Sequence, residues 1–390
     1  MRLLARTNPV LLLLAGLILL ALFNLPFLRI APNRLVSGEP MYFFALLAGA
    51  TWCLALAFFA LLVAAFVRQS RALLVLVLLT SAALPAGLLW LAANQAALNS
   101  PGESSIVRVS LGVAFWAAVV LSALIASNAL QRLHATPLQK TLAALATLAV
   151  VWVMFASGLC NQLSIMKEYA NRADDFVAVV LRHLQIVGLA MGSTLAIGLT
   201  LGWAVHAHKK VANAVFPVLN VVQTIPSIAM FGLLMAPLAW LAARWPAMGA
   251  AGISGVGMAP AVIALTLYGL LPVVRGTLAG LQQVSSAQIN AARALGLRPL
   301  AVLRYVAAPL ALPVVLGGVR TATVAAVGLA AVTALIGAGG LGSVMFEGLF
   351  SNAQDVVLLG VLPIIALGVA VDAAFRLLIS VAVRQARPHE

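Results

Sequence analysis

The sequence contains very little charge. Only 8% of its 390 residues are Asp, Glu, Lys or Arg, whereas 64% are hydrophobic. A soluble globular domain cannot cover its surface with so few charged side chains, so that class is excluded. Apolar runs of the roughly 20 residues that a helix needs to cross a bilayer recur along the chain, without the alternating pattern of a membrane barrel. The composition predicts an all-α, polytopic transmembrane helical bundle with membrane lipid as its surroundings.

Acidic residues are scarce, with nine Asp and Glu against 23 Lys and Arg, for a formal net charge of +14. The basic residues lie in short segments between apolar runs, so no nucleic acid partner is expected. Cysteine is scarce too, and Cys53 and Cys160 are interpreted as packing residues. No Gly-x4-Gly-Lys-Ser/Thr motif occurs, which predicts that the chain has no ATPase site of its own. Catalytic residues, a metal site and a bound cofactor are not expected.

About ten spans are predicted from the apolar segments. They are 9–30, 42–67, 72–94, 106–127, 140–159, 183–205, 212–241, 257–273, 311–336 and 356–380. With the N-terminus inside, the cytoplasmic segments hold fifteen basic residues and the outer segments seven. Because cytoplasmic loops carry an excess of Lys and Arg, the predicted orientation is N-in and C-in.

A hydrophilic stretch divides the chain into two parts. Residues 1–160 are predicted to form an N-terminal accessory transmembrane region of about five helices. Residues 161–182 are predicted to be a periplasmic or interfacial linker, with a short interfacial helix over 171–183. Residues 183–385 contain the other five spans and are richer in Gly, Pro, Thr and Gln. The second part is therefore expected to carry the function.

The longest predicted cytoplasmic connection contains a helix-turn-helix. A helix is predicted over 285–295, Gly296 permits a sharp turn, and a second helix is predicted to begin at 299 and to end at Pro309. Alanines on one side of the first helix would let the backbone of another protein approach closely. Three arginines could pair with charges at the edge of that contact surface; they are Arg293, Arg298 and Arg304.

The residues Asn290-Ala291-Ala292, then three residues, Gly296, nine residues and Val306-Ala-Ala-Pro309 resemble the EAA loop of bacterial ATP-binding-cassette (ABC) importer permeases. The family pattern has Glu, Ile and Leu where this chain has Asn290, Val306 and Ala308, so one charged contact is in doubt. The resemblance implies that the loop 275–304 couples the membrane helices to a separate ATP-binding subunit, which holds ATP and Mg. The implied coupling residues are Asn290, Ala291, Ala292, Arg293, Gly296, Arg298 and Pro309.

Further segments are similar to the osmoprotectant branch of these permeases, which carries glycine betaine, choline and related quaternary amines. They are 223–227 (QTIPS), 265–272 (LTLYGLLP), 309–313 (PLALP) and 336–342 (IGAGGLG). The likeness implies a type I permease core over 183–385, and the N-terminal extension is similar to the YehY-type permease. It further implies the bacterial inner membrane, a periplasmic or tethered substrate-binding protein, and a second permease subunit, the same or a related chain.

Polar residues within the spans have two interpretations. Pro226 must bend or break its span, so Gln223, Thr224, Pro226, Ser227 and Tyr268 are candidates for the translocation path; otherwise the site is a packed kink. A second group is interpreted as structural pairing in preference to substrate contact, because Asp372 and Arg376 are four residues apart on one helix. Its members are Arg320, Asp372 and Arg376.

Other functional classes remain as alternatives. An ABC permease for an amino acid or a related amine would have the same loop. An ion-coupled secondary transporter should show more buried carboxylates, and Asp372 is the only deep acid. An intramembrane enzyme needs a nucleophile and base or a metal cluster in the spans, and neither is found. Residues 337–342 fit Gly-x-Gly-x-x-Gly but follow a membrane helix, so they are interpreted as a tight loop.

Overall fold

The computed structural model describes residues 8–386 except 34, 35, 37, 101, 103, 104 and 251. Six charged residues used for the predicted orientation lie outside this description; they are Arg2, Arg6, Arg34, Glu103, Arg387 and Glu390. The predicted all-α class is confirmed, because helices form most of the described chain. The chain consists of two compact units, Met1–Asn171 and Arg172–Glu390. The domain bounds given above stay predictions.

The first unit contains six α-helices and a small sheet within its described residues. The helices are α1 (Pro9–Asn24), α2 (Trp52–Ala64), α3 (Arg71–Asn99), α4 (Val113–Arg132), α5 (Pro137–Ala156) and α6 (Ser164–Ala170). The strands are β1 (Leu28–Ala31), β2 (Glu39–Met41) and β3 (Arg108–Leu111), antiparallel in the order β2-β1-β3. The sheet was not predicted, and it ends the first predicted span early because β1 begins four residues after α1 ends at Asn24.

Aromatic packing joins the sheet to the helices of this unit. Phe27 and Phe43 are fully buried and meet edge to face with ring centroids 5.3 Å apart. Phe115 of α4 lies 5.8 Å from Phe27, and Phe58 of α2 lies 6.1 Å from Phe43. Edge-to-face contacts of this kind stabilise a core beyond the area that they bury.

The second unit contains ten α-helices in the part that the structure describes. They are α7 (Ala173–Ala207), α8 (Lys209–Thr224), α9 (Ser227–Arg244), α10 (Pro246–Ala250), α11 (Met258–Gln282), α12 (Ser286–Ala294), α13 (Pro299–Val302), α14 (Ala308–Val332), α15 (Leu341–Phe350) and α16 (Gln354–Ala386). A π-helical turn over Leu303–Ala307 links α13 to α14, and a 3-10 turn over Thr333–Ile336 follows α14. The predicted interfacial helix over 171–183 is instead the first part of α7, which is continuous for 35 residues.

Small residues let the central helices of this unit approach closely. A Cβ placed on Gly276 of α11 would lie 2.9 Å from the Cα of Gly318 in α14. On the other side of α11, a Cβ on Gly202 of α7 would lie 2.5 Å from the Cβ of Thr277. Real Cβ atoms do not come so near, so larger residues at these positions would force the helices apart. Helices α7, α11 and α14 thereby form the core that positions the loops at their ends.

Eight helices of the described chain are long and apolar enough to cross a membrane. They correspond to the last eight predicted spans, with 212–241 divided between α8 and α9 and only α9 counted. Helices α1 and α2 lie in the first two predicted spans but have only 16 and 13 residues. The count of about ten spans and the N-in, C-in orientation therefore stay predictions.

Candidate coupling loop and translocation path

Local hydrogen bonds define both ends of the predicted coupling helix, α12. At its start, the Ser285 hydroxyl accepts from the backbone N–H of Gln288. The side-chain oxygen of Gln288 accepts from the backbone N–H of Ser285 at 3.1 Å, so the two residues form a capping box. At its end, Gly296 has a φ of +80°. The N–H groups of Gly296 and Leu297 donate to the carbonyls of Arg293 and Ala292, so the helix closes in a Schellman motif.

The coupling loop differs from the prediction in two ways, one at its beginning and one after it. Helix α11 continues to Gln282, so residues 275–282 of the predicted loop 275–304 are helical. Pro309 does not end a helix, because the chain continues from α13 through the π-turn into α14. In this turn the Ala308 N–H donates to the Leu303 carbonyl, five residues back. The wider register accommodates a proline that has no N–H to donate.

The alanines of α12 do not share one environment. Ala292 is 5% exposed and packs inside the chain, whereas Asn290, Ala291, Arg293 and Arg298 are exposed. Ala292 therefore supports the loop from within and cannot meet another protein in this arrangement. That orientation contradicts the predicted contact role for Ala292 and leaves Ala291 on the open side.

Three exposed apolar side chains on this loop were missed by the sequence analysis. Leu295 is 83% exposed, Leu300 76% and Tyr305 66%. The Arg304 guanidinium lies 5.7 Å from the centre of the Tyr305 ring. Large apolar residues next to cations mark a surface that suits a protein partner. They do not share one helix face, because Leu295 follows the end of α12, Leu300 lies in α13 and Tyr305 lies in the π-turn.

The break between α8 and α9 is held by two hydrogen bonds to α11. Pro272 has no N–H, so the carbonyl of Tyr268, four residues earlier, lacks its usual helical donor. The Gln223 side chain donates to that carbonyl at 2.6 Å. In return, the Tyr268 hydroxyl donates to the carbonyl of Ile225, at the end of α8, at 2.6 Å.

The other path candidates lie beside this break. The Thr224 hydroxyl donates to the Val221 carbonyl at 2.7 Å within its own helix, and Thr224 is exposed, as are Gln223 and Pro226. Ser227 begins α9 and is half-buried. The structure thus brings the candidates together at one helix break, and their polar atoms are largely engaged with backbone carbonyls.

A polar face extends along α8 from the break. It consists of Lys209, Asn213, Asn220 and Thr224, which share one side of the helix and are all exposed. About a third of the way around the helix from this face, Leu219 is buried with Leu270, Leu271 and Val274. Helix α8 is therefore amphipathic, with its apolar side against α7 and α11.

The three ionisable candidates of the spans form one cluster. Asp372 of α16 accepts from the guanidinium of Arg320 in α14 at 2.5 Å and also pairs with Arg376 one turn away. The sequence predicted the pair of Asp372 and Arg376 within α16. It did not predict that Arg320, 52 residues before Asp372, binds the same carboxylate. The three charges sum to +1, and among the described residues Asp372 is the carboxylate that pairs with both arginines.

An exposed ion pair at the other end of this unit was not predicted. Both terminal nitrogens of Arg172 donate to the Glu347 carboxylate at 2.7 Å. Arg182 of α7 donates to the Ala338 carbonyl at 2.9 Å, within the glycine-rich turn before α15. Arg172, just before α7, is thus tied to α15, and Arg182 of α7 is tied to the tight turn that connects α14 to α15.

Two family profiles match separate parts of the chain. Residues 5–166 match "ABC transporter permease YehY, N-terminal domain" and residues 194–380 match "Binding-protein-dependent transport system inner membrane component". Over 202 residues the chain is 38% identical to the osmoprotectant import permease protein OsmW of Salmonella typhimurium strain LT2, across 52% of this chain and 89% of the relative. The chain belongs to the ABC importer permease family. It is a multi-pass inner-membrane protein and the permease subunit of an importer.

Another relative and a solved structure are also similar to the chain. The permease is 35% identical over 179 residues to the glycine betaine/carnitine/choline transport system permease protein OpuCD of Bacillus subtilis strain 168, which corresponds to 45% of this chain and 70% of the relative. Among solved structures, a chain of the MetNI methionine ABC transporter in an inward-facing conformation matches with 22% identity and a TM-score of 0.45. That match covers 53% of the permease and 95% of the other chain.

Proposed function

We propose that the permease imports an osmoprotectant, a quaternary amine such as glycine betaine or choline, with energy from ATP hydrolysis on separate subunits. Those cytoplasmic ATP-binding subunits hold the ATP and Mg. A periplasmic or tethered binding protein delivers the substrate, and a second permease subunit, the same or a related chain, completes the membrane channel. The names of the relatives support this substrate class.

The observation that carries the proposal is the open side of the coupling loop. Leu295, Leu300 and Tyr305 expose large apolar surfaces on a loop that the charge distribution predicts to be cytoplasmic. Arg293 and Arg298 are also exposed there, and no acidic residue occurs between 283 and 307. An apolar centre with a cationic rim fits a groove that has an apolar floor and acidic edges. The ATP-binding subunit is the partner that would supply it.

The break at 225–226 and the polar face of α8 are the proposed translocation path. Polar side chains at membrane depth must meet protein or water, because lipid offers no hydrogen-bond partners. Gln223, Tyr268 and Thr224 would form the outer part of this path and Asn220 the inner part. The polar face is open in a single chain, and a second permease subunit would enclose it.

A substitution at Leu295 tests the docking step. Leu295→Asp should abolish uptake of labelled glycine betaine and choline in a strain without other osmoprotectant importers, because a buried carboxylate would prevent docking. The permease should remain in the membrane at normal abundance but lose its ATP-binding subunit in a mild-detergent pull-down. Leu295→Met, of similar volume and apolar character, is the matched control and should transport normally. Normal uptake by Leu295→Asp would refute the docking assignment.

A further inference from the structure

The side chain of Arg275 extends from α11 to the polar face of α8. Arg275 lies seven residues before the end of α11 at Gln282, and its guanidinium donates to the Asn220 side-chain oxygen at 2.8 Å. Both residues are exposed in the single chain. Their pairing places a cation beside the amide groups that follow one another along α8.

The position of α8 shows that this cation lies alongside the membrane helices. Helix α11 has 25 residues and is apolar enough to span the bilayer. Near its middle, Tyr268 bonds to both Gln223 and Ile225 at the end of α8. Asn220 is one turn before Gln223, so α8 lies against the C-terminal half of α11, which the charge distribution predicts to be the inner half. Ionisable groups at such depth mark substrate pathways or structural pairs.

The polar face of α8 has positive charges near it and no negative charge on α8 or α11. Neither α8 nor α11 contains an acidic residue, while Lys209 and Arg275 supply two positive charges at the polar face. Arg275 has no carboxylate partner in the part of the chain that the structure describes. This contrasts with Arg320 and Arg376, which share Asp372. The guanidinium therefore has donors left for an anionic group that comes to it.

We propose that Arg275, oriented by Asn220, is a specificity-determining residue that binds the carboxylate of zwitterionic quaternary amines as they pass. A guanidinium offers several N–H donors in a planar fork that suits a carboxylate. The same charge repels a substrate that is only cationic. The path would then favour glycine betaine and carnitine over choline, whatever the binding protein delivers. This inference rests on the proposed function and on α8 lining the path.

The test measures selectivity in the complete complex. The permease, its ATP-binding subunits and its binding protein are reconstituted together, and ATP-driven uptake of labelled glycine betaine and choline is measured with binding-protein-stimulated ATP hydrolysis. Arg275→Gln should lower the ratio of glycine betaine to choline uptake about tenfold, since one charge-assisted contact is lost and one repulsion removed. Arg275→Lys, which keeps the charge but loses the fork, should fall between wild type and Arg275→Gln. Asn220→Ala should shift the ratio in the same direction by less.

Arg244→Gln is the matched control, because Arg244 is an exposed arginine at the end of α9, away from the polar face. It should leave the ratio unchanged. A purely structural role for Arg275 would lower uptake of both substrates and ATP hydrolysis together, and that result would overturn the inference. If choline uptake is undetectable throughout, loss of glycine betaine uptake with full ATP hydrolysis supports it. Failure of the wild type to import either substrate would instead refute the proposed function itself.

Discussion

Gly296 gives the sharpest test of how the coupling loop is built. Its φ of +80° is a left-handed conformation that costs a non-glycine residue about 1 kcal/mol, and more when the residue is β-branched. A Cβ at this position would meet nothing within 4 Å, so no steric clash adds to that cost. Asn tolerates left-handed backbone better than Ala, and Ala better than Val. The expected order of activity is therefore Gly, Asn, Ala, Val.

The magnitude follows from the size of the helix. Helix α12 has nine residues, too few to be stable alone, so the capping box and the Schellman turn decide whether it forms. A loss of about 1 kcal/mol at Gly296 lowers the ratio of formed to unformed turn about fivefold, and about 2 kcal/mol lowers it roughly thirtyfold. Gly296→Ala should thus reduce docking measurably, and Gly296→Val should nearly abolish it.

The assay is binding of the ATP-binding subunit to permease in nanodiscs, together with uptake by cells that contain each variant at equal abundance. The polar control is Gly296→Asn, which adds a side chain without the full backbone cost. If the Gly296→Val permease binds the ATP-binding subunit and transports as well as the Gly296→Asn permease, the left-handed turn does not control coupling. If the Gly296→Ala permease binds and transports less well than the Gly296→Val permease, a side-chain contact at this position, and not the backbone conformation, determines the effect.

Three further predictions concern other parts of the chain. Ala291→Trp should block docking at normal permease abundance, whereas Ala292→Trp should lower the amount of folded permease, as immunoblots and pull-downs would show; equal effects would refute the difference in burial. Asp372→Asn leaves two arginines without a counter-charge and should destabilise the purified protein by on the order of 1–3 kcal/mol in thermal unfolding, more than Arg376→Gln does. Burial raises the pKa of Cys160 to about 11, so about one thiol in a thousand is ionised at pH 8. In a Cys53→Ser variant, which removes the exposed cysteine, maleimide labelling should be slow in native protein, faster at higher pH and rapid after denaturation, and fast native labelling of Cys160 would contradict this burial.

Local signals in the sequence predicted the elements that depend on nearby residues. The coupling helix, expected over 285–295, is α12 at Ser286–Ala294, because its cap and its C-terminal glycine act within a few residues. The break at Pro226 was predictable in the same way. Pro309 was misjudged because proline was expected to stop a helix, whereas a π-turn can accommodate it.

Contacts between distant residues could not be predicted from one sequence. Gln223 bonds to a carbonyl that Pro272 leaves free, and only the packing of α8 against α11 brings the two together. Likewise, spacing on α16 indicated the pair of Asp372 and Arg376 but gave no sign of Arg320. The burial of Ala292 and the exposure of Ala291 depend on where α12 meets the rest of its loop, which periodicity in a nine-residue helix does not fix.

The glycine contact between α11 and α14 has a mechanical consequence. These helices are the two that lead into and out of the coupling loop, and Gly276 and Gly318 bring their backbones together without intervening side chains. Flexible side chains between helices would absorb a displacement by changing rotamer, but a direct contact between backbones cannot adjust in this way. A displacement of the loop should therefore move α11 and α14 together as a rigid body. We expect the displacement to reach Tyr268 and the break between α8 and α9, which would link a movement at the coupling loop to a change in the proposed translocation path.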